Sequence, residues 1–172
     1  MVREVMTGED PRALPFAEKL SESGTRFLIV GGGAVRFHAP QRQDPKDLDI
    51  YVEPTMAAGD GLNAVMHSLG AARRVATADA LARPTLGFPV EGPDRRRWGV
   101  DVFLKAAGFE FAEHWAVGDE ATLARSSTRV RVASIATMKQ WLRHVLTMEP
   151  LRANAIMADL ELLEHAEQQR EA

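Results

Sequence analysis

Two acidic residues stand close together in a segment that otherwise has the pattern of a strand. Asp47 and Asp49 flank Leu48, and the apolar residues Ile50 and Val52 continue the alternation. Because side chains alternate between the two faces of a strand, both carboxylates are predicted on one face. One acid at a strand start is usually solvated, but two like charges on one face cost free energy unless a cation offsets them. The pair therefore predicts a cation site.

A third acid has a similar setting. Asp101 is the one polar residue in the run from Gly99 to Leu104, and taken alone it would be an acid at a strand edge. If that run pairs beside residues 47–52, at the strand spacing of about 4.8 Å, three carboxylates converge. Carboxylate oxygens on a rigid sheet suit one or two Mg²⁺ ions (or Mn²⁺), which retain water or substrate phosphates as further ligands.

A run of glycines precedes these acids. Residues 27–30 predict a buried strand, Gly31–Gly33 a tight turn, and residues 34–38 the start of a short helix. Glycine lets the backbone approach a phosphate closely, and a helix N-terminus favours negative charge. However, the dinucleotide pattern G-x-G-x-x-G fails at Arg36, and the loop lacks the lysine of a Walker sequence. Taken alone, the glycines slightly favour an ordinary turn that needs positive φ.

Composition limits the class of protein. The 172 residues are 45% hydrophobic and 26% charged, which predicts a single globular domain. The absence of cysteine excludes disulfide frameworks and thiolate zinc sites, and the five histidines lack metal-ligand spacing, so His38 is predicted to pack in a turn or core. Net charge is −3, with local basic clusters at Arg73-Arg74 and at residues 95–97. No apolar run is long enough to span a bilayer and residues 1–20 lack a signal-peptide pattern, so we expect a cytoplasmic protein with no membrane partner.

The surrounding elements predict the frame that positions the acids. Further strand patterns lie near Val75 and at residues 85–90, 98–104 and 130–132, with a hairpin turn at residues 92–94. Helices are predicted after Asp10-Pro11, Thr55, Ser134 and Pro150. The result is an α/β (α+β) fold: a mixed twisted sheet with flanking helices and a C-terminal helical pair. We expect one domain over residues 1–172, with its core at about 10–132 and the C-terminal helices at about 134–168.

The order of these motifs resembles that of the DNA-polymerase-beta-like nucleotidyltransferases. Their pattern is a strand, Gly-Gly-x-Ala, a short helix, an Arg-bearing loop, Asp-x-Asp on the next strand and a later lone Asp. The matching residues here are Gly31-Gly32-Gly33-Ala34-Val35, His38, Arg42, Asp47-Leu48-Asp49 and Asp101. They look most like the branch found in abortive-infection toxin–antitoxin pairs. The resemblance covers about residues 10–165, including a similar tail from Val130 through Leu163.

This resemblance implies a metal-dependent nucleotidyltransferase with a nucleotidyltransferase-like fold. It would transfer a nucleoside monophosphate from an NTP to an acceptor, which could be an RNA such as tRNA, a protein or a small molecule. A cognate antitoxin protein would be a partner.

The resemblance also assigns roles to particular residues. The implied metal ligands and catalytic residues are Asp47, Asp49 and Asp101, the last as third ligand or as general base. The implied nucleotide-binding residues, which would contact phosphates through backbone N–H groups or positive charge, are Gly31, Gly32, Arg42 and Lys46. For Lys46, loop solubility explains the residue equally well.

Two departures from the family pattern leave a second hypothesis open. The loop between His38 and Asp47 is one residue longer than in the resembling branch, with Pro45 where Thr or Ser is common. The last helix has Ala155 and Ile156 in place of a Lys-Asp pair and keeps only Asp159. The alternative is a catalytically degenerate relative that serves as a nucleotide-binding or protein-interaction module. The presence of all three acids favours the enzyme.

Overall fold

The computed structural model describes residues 1–72, 77–106 and 108–172. In these ranges seven strands form one mixed sheet, in the order β1-β6-β7-β2-β3-β5-β4. The strands are β1 (Arg3–Val5), β2 (Phe27–Val30), β3 (Leu48–Val52), β4 (Leu86–Glu91), β5 (Arg97–Lys105), β6 (Asp119–Leu123) and β7 (Arg129–Val132). The predicted mixed α/β fold, a mixed sheet with flanking helices, is confirmed.

Helices flank this sheet and end the chain. They are α1 (Ala13–Glu22), α2 (Gly31–His38), α3 (Met56–Ser68), α4 (Thr77–Leu81), α5 (Phe111–Ala116), α6 (Ile135–Met148) and α7 (Ala153–Glu171). A 3₁₀ turn at Pro150–Arg152 joins the last two. Thr55 and Ser134 cap α3 and α6 as predicted, because their hydroxyls accept from the N–H groups of Ala58 and Thr137. Among the described residues, no helix is long and apolar enough to cross a membrane.

Strand β3 lies near the middle of the sheet and carries Asp49. It runs antiparallel to β2, with Val30 opposite Asp49, and parallel to β5, with Asp49 opposite Asp101. Strands β4 and β5 form the predicted hairpin. Two strands distant in the sequence therefore become neighbours at the level of the acids.

One hydrophobic cluster extends from Val5 to Ala166 and joins the sheet to the C-terminal helices. All four residues of β2 are buried, as expected for a central strand covered on both faces. Burial alternates at the start of β3: Leu48 and Ile50 are buried, while Asp49 between them remains partly exposed. A rigid, packed strand thus carries the acid to the edge of the core.

Several elements differ from the sequence prediction. Strands β1 and β6 and helices α4 and α5 carry no clear periodic pattern, because they are only three to six residues long. Strand β1 also places the start of the sheet ahead of the predicted core boundary near residue 10. The strand predicted near Val75 and the Arg73-Arg74 cluster lie outside the described residues.

Two helix starts were predicted wrongly. Helix α2 begins at Gly31, so the three glycines form its first turn instead of a separate tight turn, and only the first of them has positive φ. Helix α1 begins two residues after Asp10-Pro11, with Arg12 as its N-cap. The Asp10 carboxylate accepts from the backbone N–H of Arg12 and from its guanidinium, so it stabilises the turn before the helix.

Candidate functional site

Strand pairing brings the three acids together where the start of β3 lies beside the middle of β5. Asp49 and Asp101 are register partners on these adjacent parallel strands, so their side chains project from the same face of the sheet. Asp47 is exposed and directly precedes β3. Its Oδ1 lies 3.3 Å from the point that a Cβ on Gly99, in β5, would occupy. All three acids therefore lie close to residues 99–101 of β5.

The Asp49 carboxylate also lies at the N-terminus of α2. A Cβ at Gly31 would be 2.1 Å from Asp49 Oδ2, and φ at this glycine is +61°, so no other residue fits there. The backbone N–H of Gly32 donates to the same carboxylate. Gly31 thus makes room for a candidate metal ligand and Gly32 hydrogen-bonds to it. This contact is a structural reason for two glycines to which the family resemblance assigns phosphate contact.

The charge at Asp49 is poorly compensated. Burial first, and then repulsion from Asp101 and Asp47, raises the pKa of Asp49 to about 7. The positive charge of Arg152 and the hydrogen bond from Gly32 act in the opposite direction without cancelling the rise. The charged form of Asp49 is therefore disfavoured in the folded protein, and a cation would relieve the same repulsion.

Asp101 has a cationic partner already. The Nη2 atom of Arg97 lies 2.7 Å from Asp101 Oδ1, and the two side chains are 62% and 20% exposed. The residues are four apart in one strand, and they meet because Gly99 between them has φ of +60° and interrupts the regular pleat. One of the three predicted metal ligands is thus paired to a guanidinium.

The three acids offer the oxygen ligands that a hard divalent cation requires, but they are not already arranged around a metal position. In the part of the chain that the structure describes, no three Asp, Glu or His side chains are arranged to hold a metal ion. The donor set at the acids is nevertheless all oxygen, and the repulsion at Asp49 is what Mg²⁺ or Mn²⁺ would offset. Asp101 would first have to exchange its hydrogen bond with Arg97 to bind such an ion.

A cleft of about 600 Å³ opens in front of Asp47 and Asp49, within the size range of small-molecule sites. It lies between the start of α2, the segment that leads into β3, and α7. Its lining includes Gly32, Arg42, Pro45, Lys46, Asp47, Asp49, Arg152, Ala155 and Asp159. Positive and negative side chains therefore face each other across one opening.

Arg42 is held rigidly at this cleft. Its Nε and Nη2 atoms donate to the two carboxylate oxygens of Asp159, at 2.7 and 3.0 Å. Both terminal nitrogens lie 3.1 Å from the point that a Cβ on Gly32 would occupy, so the guanidinium covers the first turn of α2. The bidentate pair ties α7 to the loop before β3 and fixes Arg42 next to the acids.

Lys46 is exposed at the rim of the cleft. Its backbone carbonyl accepts from the N–H of Glu9 at 2.9 Å, which anchors the chain just before Asp47. A Cβ at Gly8 would lie 2.6 Å from the same carbonyl oxygen, so the two segments are in close contact.

Arg152 is a site residue that the sequence analysis missed. It lines the cleft from the 3₁₀ turn, pairs with Glu149 at 3.1 Å, and its charge lowers the pKa of Asp49. Ala155 lines the cleft and Ile156 is buried in the core, so neither replaces the Lys-Asp pair of the resembling family. Arg152 precedes Ala155 by three residues, about one turn, and this spacing was the available signal.

A smaller cavity of about 140 Å³ adjoins the acids on the core side. It is lined by Asp49, by the first two glycines of α2, and by Phe103, Trp141 and Leu142. Trp141 is 5% exposed and its ring lies 5.1 Å from that of Phe103, edge to face. Trp141 and Leu142 are both buried, and they form an apolar wall beside Asp49.

Comparisons with known proteins do not assign a family. No model of a known protein family matches the chain, and no curated protein matches it significantly. The resemblance to nucleotidyltransferases therefore stays a prediction from the order of the motifs.

Proposed function

We propose that the protein is a metal-dependent nucleotidyltransferase of the DNA-polymerase-beta-like type. It would transfer a nucleoside monophosphate from an NTP to an acceptor that is an RNA, a protein or a small molecule. The observation that carries the proposal is the setting of Asp49. This partly buried carboxylate lies opposite Asp101 and at the start of a glycine-led helix, with its pKa raised to about 7 by burial and by its acidic neighbours. Perturbed carboxylates in a cleft are typical of functional sites.

The carboxylates would divide two tasks. Asp47 and Asp49 would hold Mg²⁺ or Mn²⁺, and Asp101 would either complete the ligand set or accept the proton of the attacking hydroxyl. A bound divalent ion would supply stabilisation of the negative charge that develops on the transferred and departing phosphates.

The cations of the cleft would orient the triphosphate. Arg42 is fixed by its bidentate pair with Asp159, so it would lose little side-chain entropy when phosphate binds. Arg152, which also lines the cleft, would supply the positive charge that Ala155 does not. Lys46, at the exposed rim, would contribute long-range attraction.

The direct test is transfer from labelled nucleotides. Each of ATP, CTP, GTP and UTP is offered with Mg²⁺ or Mn²⁺ to the protein, with total RNA, with protein alone and with small hydroxyl acceptors. We expect label to appear in one class of acceptor with the wild type and to vanish with Asp49→Asn. An inactive wild type that nevertheless binds nucleotide would reject the catalytic proposal.

A second candidate is a degenerate relative that binds nucleotide or a partner protein without transfer. It is favoured by the pairing of Arg97 with Asp101 and by the burial of Ile156, which occupies a polar position of the family pattern. Thermal shift separates the candidates, because a ligand that binds the native state raises the melting temperature. The enzyme requires nucleotide binding that strengthens with divalent metal, whereas the module would bind equally well without it.

The toxin–antitoxin role implied by the resemblance has its own test. We expect expression in a bacterial host to arrest growth and Asp49→Asn to relieve the arrest. If co-expression of a protein encoded by an adjacent gene relieves the growth arrest, that protein is the antitoxin partner. Equal growth arrest by both forms would separate toxicity from the acids.

A further inference from the structure

We propose that Arg97 is an internal counter-ion that holds Asp101 in the metal-free protein and competes with divalent metal for that carboxylate. The inference rests on the proposed function, because it concerns the same acids. It adds a residue that neither the sequence motifs nor the resemblance assigns, and it makes Arg97 the residue that sets metal affinity.

The geometry of this contact is unusual for a strand. Residues four apart in a regular strand have Cα atoms about 13 Å apart, and their side chains do not ordinarily pair. Here the positive φ of Gly99 bends the start of β5, and the pairing with β4 shifts register between Pro89 and Glu91. The bend brings the Arg97 guanidinium close to the Asp101 carboxylate, and Arg97 Nη2 donates to Asp101 Oδ1 at 2.7 Å.

The bend is fixed by the acids around it. A Cβ at Gly99 would lie 2.8 Å from the Cβ of Asp10 and 3.3 Å from Asp47 Oδ1, so only glycine fits between them. The Asp10 carboxylate is already held by Arg12, with contacts of 2.9 and 2.7 Å. Arg12 is thereby committed to Asp10, which leaves Arg97 as the cation that contacts a candidate metal ligand.

Arg97 responds to the whole acidic cluster. Its pKa is raised, first by the hydrogen bond and charge of Asp101 and then by the charges of Asp47 and Asp49. A guanidinium carries one positive charge and is hydrogen-bonded to one of the three carboxylates, whereas a divalent ion would bring two positive charges to the same acids. Because the Arg97 side chain is 62% exposed, it can move into solvent without disturbing the core.

A purely structural role makes the opposite prediction. If the pair only fastened the bend in β5, removing Arg97 would lower stability and leave metal affinity unchanged or weaker. If Arg97 competes with metal, removing it frees Asp101 and strengthens metal binding. The sign of the change in affinity therefore separates the two roles.

The test is nucleotide-free Mn²⁺ binding, followed by the electron paramagnetic resonance signal of the free ion. The variants are Arg97→Gln and, as a matched control, Arg96→Gln. Arg96 is the adjacent residue and loses the same charge, but it is 85% exposed and pairs with Asp94 instead. We expect Arg97→Gln to bind Mn²⁺ on the order of 10-fold more tightly, the effect of removing one competing charge-assisted hydrogen bond, and Arg96→Gln to change affinity less than about 2-fold.

A second variant keeps the test informative if Arg97→Gln does not fold. Arg97→Lys keeps the charge but loses the planar guanidinium, so its Mn²⁺ affinity should lie between those of the wild type and Arg97→Gln. Equal or weaker binding by both Arg97 variants, with binding by the wild type intact, would overturn the inference and leave the proposed function standing. Absence of Mn²⁺ binding in every form, with and without NTP, would overturn both.

Discussion

The buried polar groups at the two ends of helix α2 differ in whether their interactions are satisfied. At its C-terminal end, His38 Nε2 lies 2.7 Å from the carbonyl oxygen of Ala133, and Nδ1 lies 3.0 Å from Nη2 of Arg170. A carbonyl oxygen can only accept and a guanidinium can only donate a hydrogen bond. Nε2 of His38 therefore carries the proton, and Nδ1 accepts. Asp119 lies 3.9 Å away, and burial lowers the pKa of His38, so the neutral ring is the stable form.

At the N-terminal end of the same helix, Asp49 is left with unbalanced charge. The helix dipole and the Gly32 N–H favour its carboxylate, but Asp101 and Asp47 repel it and burial disfavours its charge. A buried polar group whose hydrogen bonds are all satisfied, such as the His38 ring, stabilises the fold. A carboxylate such as Asp49, which is repelled by its acidic neighbours on a rigid strand beside an open cleft, is typical of a functional site.

The largest expected effect is on transfer activity. Asp49→Asn should reduce transfer by at least about 1000-fold, because the ligand charge that positions the metal is lost. Its unfolding free energy at pH 8 should rise by about 1–3 kcal/mol, since the repulsion and the burial of a charge disappear together. The measurements are the transfer assay and urea unfolding. Asp60→Asn, an exposed position on α3, is the control and should change neither quantity. A loss of stability in Asp49→Asn would make the acid structural.

The opposite end of α2 should show the reverse pattern. His38→Ala removes both ring contacts and leaves a buried cavity, so the unfolding free energy should fall by about 2–4 kcal/mol. Mn²⁺ affinity at pH 8 should remain within about 2-fold of the wild type in the folded variant, because His38 is not among the acids. His165→Ala, an exposed histidine on α7, controls for residue type and should cost less than about 0.5 kcal/mol. A large loss of metal affinity in His38→Ala would show that the two ends are coupled.

A smaller effect is expected at the Arg42–Asp159 pair, which lies in the cleft yet is fully bonded. Asp159→Asn should weaken NTP binding by about 10-fold, because Arg42 loses its fixed position, and should cost about 1 kcal/mol of stability. Calorimetric titration of NTP with Mg²⁺ checks the first and urea unfolding the second. Glu161→Gln removes a negative charge from an exposed position two residues along α7 and serves as control. Tighter NTP binding by Asp159→Asn would mean that Asp159 competes with phosphate for Arg42.

The last expected effect is the dependence of stability on pH. The pKa of Asp49 is raised from 3.8 to about 7, so its unfavourable contribution is complete above pH 7 and disappears as pH falls toward 4. The pKa of His38 is lowered from 6.5, so its favourable contribution is present above that pH and is lost as pH falls below it. The stability advantage of Asp49→Asn should therefore shrink from pH 8 to pH 5, by about 1–2 kcal/mol. Urea unfolding of both proteins across that range measures it, and a constant difference would contradict the raised pKa.

Much of the local structure could be predicted because its causes are local. The alternation at residues 48–52 and 98–104 predicted β3 and β5, since period-two burial follows directly from the geometry of a strand. Thr55 and Ser134 predicted the starts of α3 and α6 through hydroxyls that satisfy free backbone N–H groups. Short elements such as β1 were missed because three residues carry no measurable period.

What the sequence determined by itself is the set of candidate residues: two acids at alternate positions, a third acid in an apolar run, and a run of glycines before them. Tertiary structure alone decided what those acids contact. The parallel register of β3 with β5 sets Asp49 opposite Asp101, and the pairing of Arg42 with Asp159 joins residues 117 positions apart. At the bend that brings Arg97 onto Asp101, the side chains of Asp10 and Asp47 leave no room for a Cβ at Gly99, so only glycine fits there. Local patterns fix backbone preference and burial, whereas charge pairing depends on which distant segments the core packs side by side.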